Sequence, residues 1–126
     1  MRIIYLIFLL FFSQNAISAE LDNKQLQVRN SLLNLSDEEL IKVRALNNSY
    51  SKYCKNHSKK NVMKRLSEVV AQVVVIDKPH ITNTKNHFKY GFYKGQIISF
   101  KNKKGTANFC NCIYNYFIVG DTSCFR

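Results

Sequence analysis

Three histidines, four cysteines and a large surplus of lysine carry whatever chemistry this 126-residue chain can do. His80 and His87 flank a polar loop and stand close in sequence to Lys78, Lys85 and Lys89. In a phosphodiesterase, one histidine takes a proton from the nucleophile, a second protonates the leaving group, and a lysine holds the phosphate. His80, His87 and Lys85 are therefore the candidates for a small nuclease-like enzyme or toxin. Against this reading, loop histidines in a lysine-rich chain are ordinarily solvated. The sequence has no GxSxG and no HExxH. Glu68, Asp77 and Asp121 are too far apart in sequence to suggest the paired carboxylates of a glycosidase. A non-enzymatic role is favoured, and no cofactor is expected.

The cysteines admit two other chemistries. Cys54-x-x-His57 and Cys110-x-Cys112 together make a Cys3His set of zinc-ligand type, but that leaves Cys124 alone. A redox role would need a Cys-x-x-Cys at a helix start to lower a thiol pKa, and none is present. Disulfides suit an even count in an exported small domain. A Cys110–Cys112 bond would close a very small strained ring. The choice lies between Cys54–Cys110 with Cys112–Cys124, and Cys54–Cys112 with Cys110–Cys124. With residues 109–117 as a strand rising ~3.3 Å per residue, the short tail after Gly120 reaches Cys112 more easily than Cys110. The first pairing is preferred.

Export is read from residues 1–19, MRIIYLIFLLFFSQNAISA. Arg2 gives a positive head, Ile3 to Phe12 form an apolar run, and Ala16, Ser18 and Ala19 supply small residues before a cut. This order predicts a secretory signal peptide cleaved after Ala19. The apolar run falls short of the roughly 20 residues a membrane span needs. No transmembrane span is expected after signal removal, and the mature domain, Glu20–Arg126, is expected to be periplasmic or secreted.

Charge points to the partner. The chain has 19 Lys+Arg against 8 Asp+Glu, a formal net charge of +11, of which signal removal takes only Arg2. From Leu40 to the end, only Glu68, Asp77 and Asp121 oppose the basic residues. Such asymmetry suits an acidic protein or another polyanion, with nucleic acid or a membrane surface as further options. For the membrane option the relevant cluster is Lys52, Lys55, Lys59, Lys60, Lys64 and Arg65. Lysine outnumbers arginine and asparagine is abundant, a composition that an AT-rich coding sequence also produces without selection for binding.

The elements that must position these groups follow from hydrophobic periodicity. Leu21, Val28, Leu32 and Leu35 predict a helix over residues 20–35. Ser36-Asp37-Glu38-Glu39 is a capping box with Leu35 and Leu40 as its staple, so a second helix starts at Ser36. Residues 62–76 suit a helix to about Val74, although the valines there also fit a buried strand. Phe88, Tyr90 and Phe92 then alternate with Lys89, Gly91 and Tyr93. Lys94-Gly95 and Asn102–Gly105 read as turns between strands. The expected fold is α+β, with N-terminal helices packed on a three-stranded antiparallel meander and stapled by disulfides. Ten of the twelve aromatic residues of the mature chain lie after residue 87, interleaved with lysines. The expected binding surface is the open side of that sheet, with Lys89, Lys94, Lys101, Lys103, Lys104, Tyr114 and Tyr116. An inhibitor, an immunity protein or an envelope accessory would each fit.

Overall fold

The computed structural model describes residues 17–125, with side chains described from residue 23 to 124. The expected signal peptide lies outside the described residues for all but Ile17–Ala19, which stand at the head of the first helix. Among the described residues the chain is helical and contains no strand. The α+β expectation is therefore wrong, and the three-stranded meander does not exist.

Helix α1 spans Ile17–Leu33 and α2 spans Asp37–Tyr53. The capping box forms as the sequence predicts. Ser36 accepts from the Glu39 backbone N–H, and the Glu39 carboxylate accepts from the Ser36 backbone N–H. Helix α3 spans Lys60–Gln72 and continues as a π-helical segment, Val73–Asp77. A 3-10 turn at Pro79–Thr82 leads to α4, Thr84–Lys104, and then α5, Thr106–Tyr114, which runs into a second π-helical segment, Asn115–Val119.

Where strands were expected, α4 and α5 form instead. Asn83 caps α4 by accepting from the Asn86 N–H, and Gly105, at φ 85°, separates it from α5. Among the described residues only Gly105 and Gly120 have positive φ; α4 runs through Gly91 and Gly95, so the turn expected at Lys94-Gly95 does not form. The alternation of Phe88, Tyr90 and Phe92 was never a core pattern. Phe88 is 81% exposed and Phe92 62%. The apolar residues of α4 that pack inward are Tyr90, Tyr93, Ile97 and Phe100, with Asn86 buried on the same side, and that spacing has the helical period.

Helix α2 runs through both halves of the core. Leu40, Ile41 and Val43 join Leu32, Val69, Val70, Val73, Val74 and Ile81 in one cluster. Leu46, Tyr50 and Cys54 join Met63, Leu66, Phe109, Cys110 and Ile113 in the other. The most extensive helix pairing is α2 with α4, while α1 packs on α3. Arg29 on α1 reaches Asp77 at the end of the first π segment, with Nη2 3.0 Å from both carboxylate oxygens.

Two disulfides complete the fold, Cys54–Cys110 and Cys112–Cys124. The preferred pairing is correct, but the strand that suggested it is absent. On a helix, residues two apart point roughly 200° from one another. Cys110 therefore faces α2, while Cys112 turns away to meet the returning tail. Gly120, in the left-handed region, ends the second π segment, and Asp121 Oδ1 accepts from the Ser123 N–H to fold the tail back.

Candidate functional site

The junction of α2 and α3 holds the clearest concentration of charge beside a concavity. Cys54 is the C-cap of α2 and donates its N–H to the Tyr50 carbonyl. Two tight turns follow, His57 N–H to Cys54 O and Lys60 N–H to His57 O, each at 3.1 Å. Helix α3 starts with Lys59 at its N-cap and no side chain closing the first turn. Between the helices lies an open cleft of about 390 Å³. Tyr50, Cys54 and Met63 form its apolar wall, Ser51, Asn61 and Ser67 add polar groups, and Lys55, Lys60 and Lys64 edge it. Among the described residues no carboxylate lines it. The acids Asp37, Glu38 and Asp77 are engaged elsewhere, with His80, with Lys89 and Tyr93, and with Arg29.

A short polar chain braces this junction. Tyr50 Oη lies 2.6 Å from His57 Nδ1, and His57 Nε2 lies 2.7 Å from Asn111 Oδ1. Because the Asn111 oxygen accepts, the neutral ring carries its proton on Nε2 and takes the Tyr50 O–H at Nδ1. Burial pushes the Tyr50 phenol up to about 12, with Tyr114 adding to the shift. At neutral pH Tyr50 is thus a buried, protonated donor. Tyr114 lies beside the imidazole, ring centroids 6.3 Å apart, and carries Lys59 Nζ 5.7 Å above its own face.

The comparisons find no match to a protein-family model, to a curated protein or to a solved structure.

The structure disperses the residues that sequence reasoning grouped. His80 Nε2 sits 3.0 Å from Asp37 Oδ2 at an exposed pair, and the bond holds the Asp37 carboxyl below its usual value. His87 stacks on Tyr90, and Lys85 is exposed on the outer side of α4. Neither histidine lines the lysine-edged cleft. The five expected binding lysines do fall on one element, but it is helix α4 and not a sheet. Lys89 pairs with Glu38 at 3.4 Å, Lys94 lies over Tyr90, Lys101 over Tyr53 and Lys104 over Phe100. Lys103 is exposed. Tyr114 belongs to the α2–α3 junction. Tyr116 is half-buried and borders a separate groove of about 360 Å³ with Lys42, Tyr93, Ile97 and Phe100. All four cysteines are in disulfides, so the Cys3His set has no thiolate to offer a metal.

Sequence reasoning missed the Tyr50–His57–Asn111 chain and the cleft. One signal was available: Tyr50, Cys54 and His57 recur at the spacing of one helix face, and Asn111 stands next to the cysteine that Cys54 binds.

Proposed function

We propose that the protein is an exported cationic binding protein that receives an acidic protein segment at the α2–α3 junction. The observation that carries this is Lys55, Lys60 and Lys64 around one open cleft with no carboxylate in its lining among the described residues. Three ammonium groups around a cleft that no described carboxylate lines raise the local potential, tempered on one side by Glu68, whose carboxyl feels the Lys64 charge, and an acidic segment relieves the remaining repulsion. The uncapped start of α3 adds unsatisfied backbone donors at the same edge. Binding, and not catalysis, fits the polar chain beneath the cleft, whose phenol stays protonated and whose histidine is braced from both sides. Export is supported by the residue 1–19 pattern and is compatible with the two disulfides.

The test uses polyglutamate as the acidic segment, titrated at low and high salt against the wild type, Lys55→Gln/Lys60→Gln/Lys64→Gln, and Lys94→Gln/Lys101→Gln/Lys104→Gln. The two triple variants lose the same charge from different places. The cleft variant is expected to weaken binding roughly tenfold or more, and salt to weaken the wild type steeply. Equal loss in both variants reduces the effect to net charge and removes the cleft. Binding unchanged by salt removes the electrostatic reading altogether.

A further inference from the structure

Helix α4 presents a face that the other described residues leave uncovered. Its inner side is firmly held on α2. Tyr90 Oη accepts from Asn48 Nδ2 at 2.7 Å, the Arg44 guanidinium lies 4.1 Å from the Tyr90 ring centre, and Tyr93 donates to Glu38. At 100° per residue, the opposite side carries Phe88, Gly91, Phe92, Gly95 and Ser99, bordered by Lys85 and Lys103. Phe88 and Phe92 are the two most solvent-exposed phenylalanines described, at 81% and 62%.

Nothing among the described residues calls for the glycines. A Cβ at Gly91 or Gly95 would meet no atom within 4 Å, and neither has a positive φ. Glycine weakens a helix interior, so two of them between exposed phenylalanines keep this side flat at the expense of helix stability. The helix also lacks any Asp or Glu from Thr84 to Lys104 and carries six lysines.

We infer that this face of α4 docks onto an anionic phospholipid surface, with Phe88 and Phe92 entering the headgroup layer and Lys85 and Lys103 meeting the phosphates. Charge complementarity selects this occupant. Two copies placed face to face would oppose lysines with no acid between them. A specific protein interface buries roughly 800 Å² per partner, whereas the apolar part here is two side chains on a helix about 30 Å long. Two aromatic rings in a basic surround match the shallow insertion of an interfacial helix. Among the described residues no helix is long and apolar enough to cross a membrane, so α4 lies on the surface.

The experiment measures co-sedimentation with phosphatidylcholine vesicles with and without phosphatidylglycerol. The protein is purified from cells making the full chain, so that any processing of the N-terminus is their own. Wild type is expected to bind only the anionic vesicles. Phe88→Ser/Phe92→Ser should weaken that binding roughly tenfold or more, and Lys85→Gln/Lys103→Gln by roughly fivefold per lysine. Thermal melts and helical circular dichroism should match wild type, because all four side chains are exposed. Equal binding to neutral vesicles overturns the inference. So does a Phe88→Ser/Phe92→Ser variant that binds like wild type, as it would if residues 1–19 carried the attachment. A self-association that this variant dissolves, without vesicle binding, assigns the face to a second copy instead. The α2–α3 cleft variants leave vesicle binding within twofold if the two surfaces act separately.

Discussion

Cys54, the C-cap of α2, is bonded to Cys110 in the middle of α5, with their Cα atoms 5.8 Å apart. The bond sets two helices that are 56 residues apart in sequence into one register. That register brings Asn111, the next residue, within 2.7 Å of His57. The covalent link and the Tyr50–His57–Asn111 chain are therefore two levels of one joint, and the lysine-edged cleft is built against it.

Loss of the Cys54–Cys110 bond is expected to cost more stability than loss of Cys112–Cys124. In the chain-entropy model the longer loop contributes about 4 kcal/mol and the shorter about 3 kcal/mol. Cys54 and Cys110 also lie in the second core cluster, whereas Cys124 is only half-buried. Thermal or denaturant melts of Cys54→Ala and Cys124→Ala decide the order, with peptide mapping under non-reducing conditions to confirm the remaining bond. A larger loss in Cys124→Ala contradicts the assignment.

Alkaline stability should depend on Tyr50. Its phenol is raised above the unfolded value of 10.0 to about 12. Below pH 10 both states are protonated and nothing changes. Between about pH 10 and pH 12 the unfolded chain releases a proton that the folded one keeps, so stability falls by up to about 1.4 kcal/mol per pH unit. Tyr93, held up by its bond to Glu38, and Tyr116, held up by burial, act in the same direction. Tyr50→Phe removes one contribution and should flatten the alkaline limb relative to wild type. Urea melts across this pH range give the comparison, and parallel curves would refute the role assigned to Tyr50.

The Arg29–Asp77 pair should bear measurably on stability. Its side chains are 26% and 11% exposed, between the surface and buried limits. Arg29→Ala strands the Asp77 carboxylate and is expected to cost about 2 kcal/mol. In a double-mutant cycle with Asp77→Asn, the combined loss should be smaller than the sum of the single losses. Additive losses would show that the pair contributes nothing by its contact.

How far the chain could be read differs element by element. The start of α2 was legible because a capping box is a local device: Ser36 and Glu39 satisfy each other's backbone within one turn, whatever lies around them. Of the disulfide framework, only the exclusion of the Cys110–Cys112 ring was legible; the choice between the other pairings rested on a strand that does not form, and it is the helical turn of α5 that sends Cys110 toward α2 and Cys112 toward the tail. The second half was not. Phe88, Tyr90 and Phe92 satisfy period two while Tyr90, Tyr93, Ile97 and Phe100 satisfy the helical period, and both patterns occupy the same residues. Only packing decides between them: α2 offers α4 a face that takes Tyr90, Tyr93 and Ile97 together and leaves Phe88 and Phe92 in solvent. Gly95 signals a turn locally, but a helix held along its other side tolerates it. The same holds for the site. Sequence alone determined that lysine dominates this chain; tertiary structure decided which lysines converge. It folded Lys60 and Lys64 back toward Lys55 through two turns, and it spent Asp37, Glu38 and Asp77 on partners elsewhere. Charge is a property of composition, whereas a site is a property of which counter-charges have been placed out of reach.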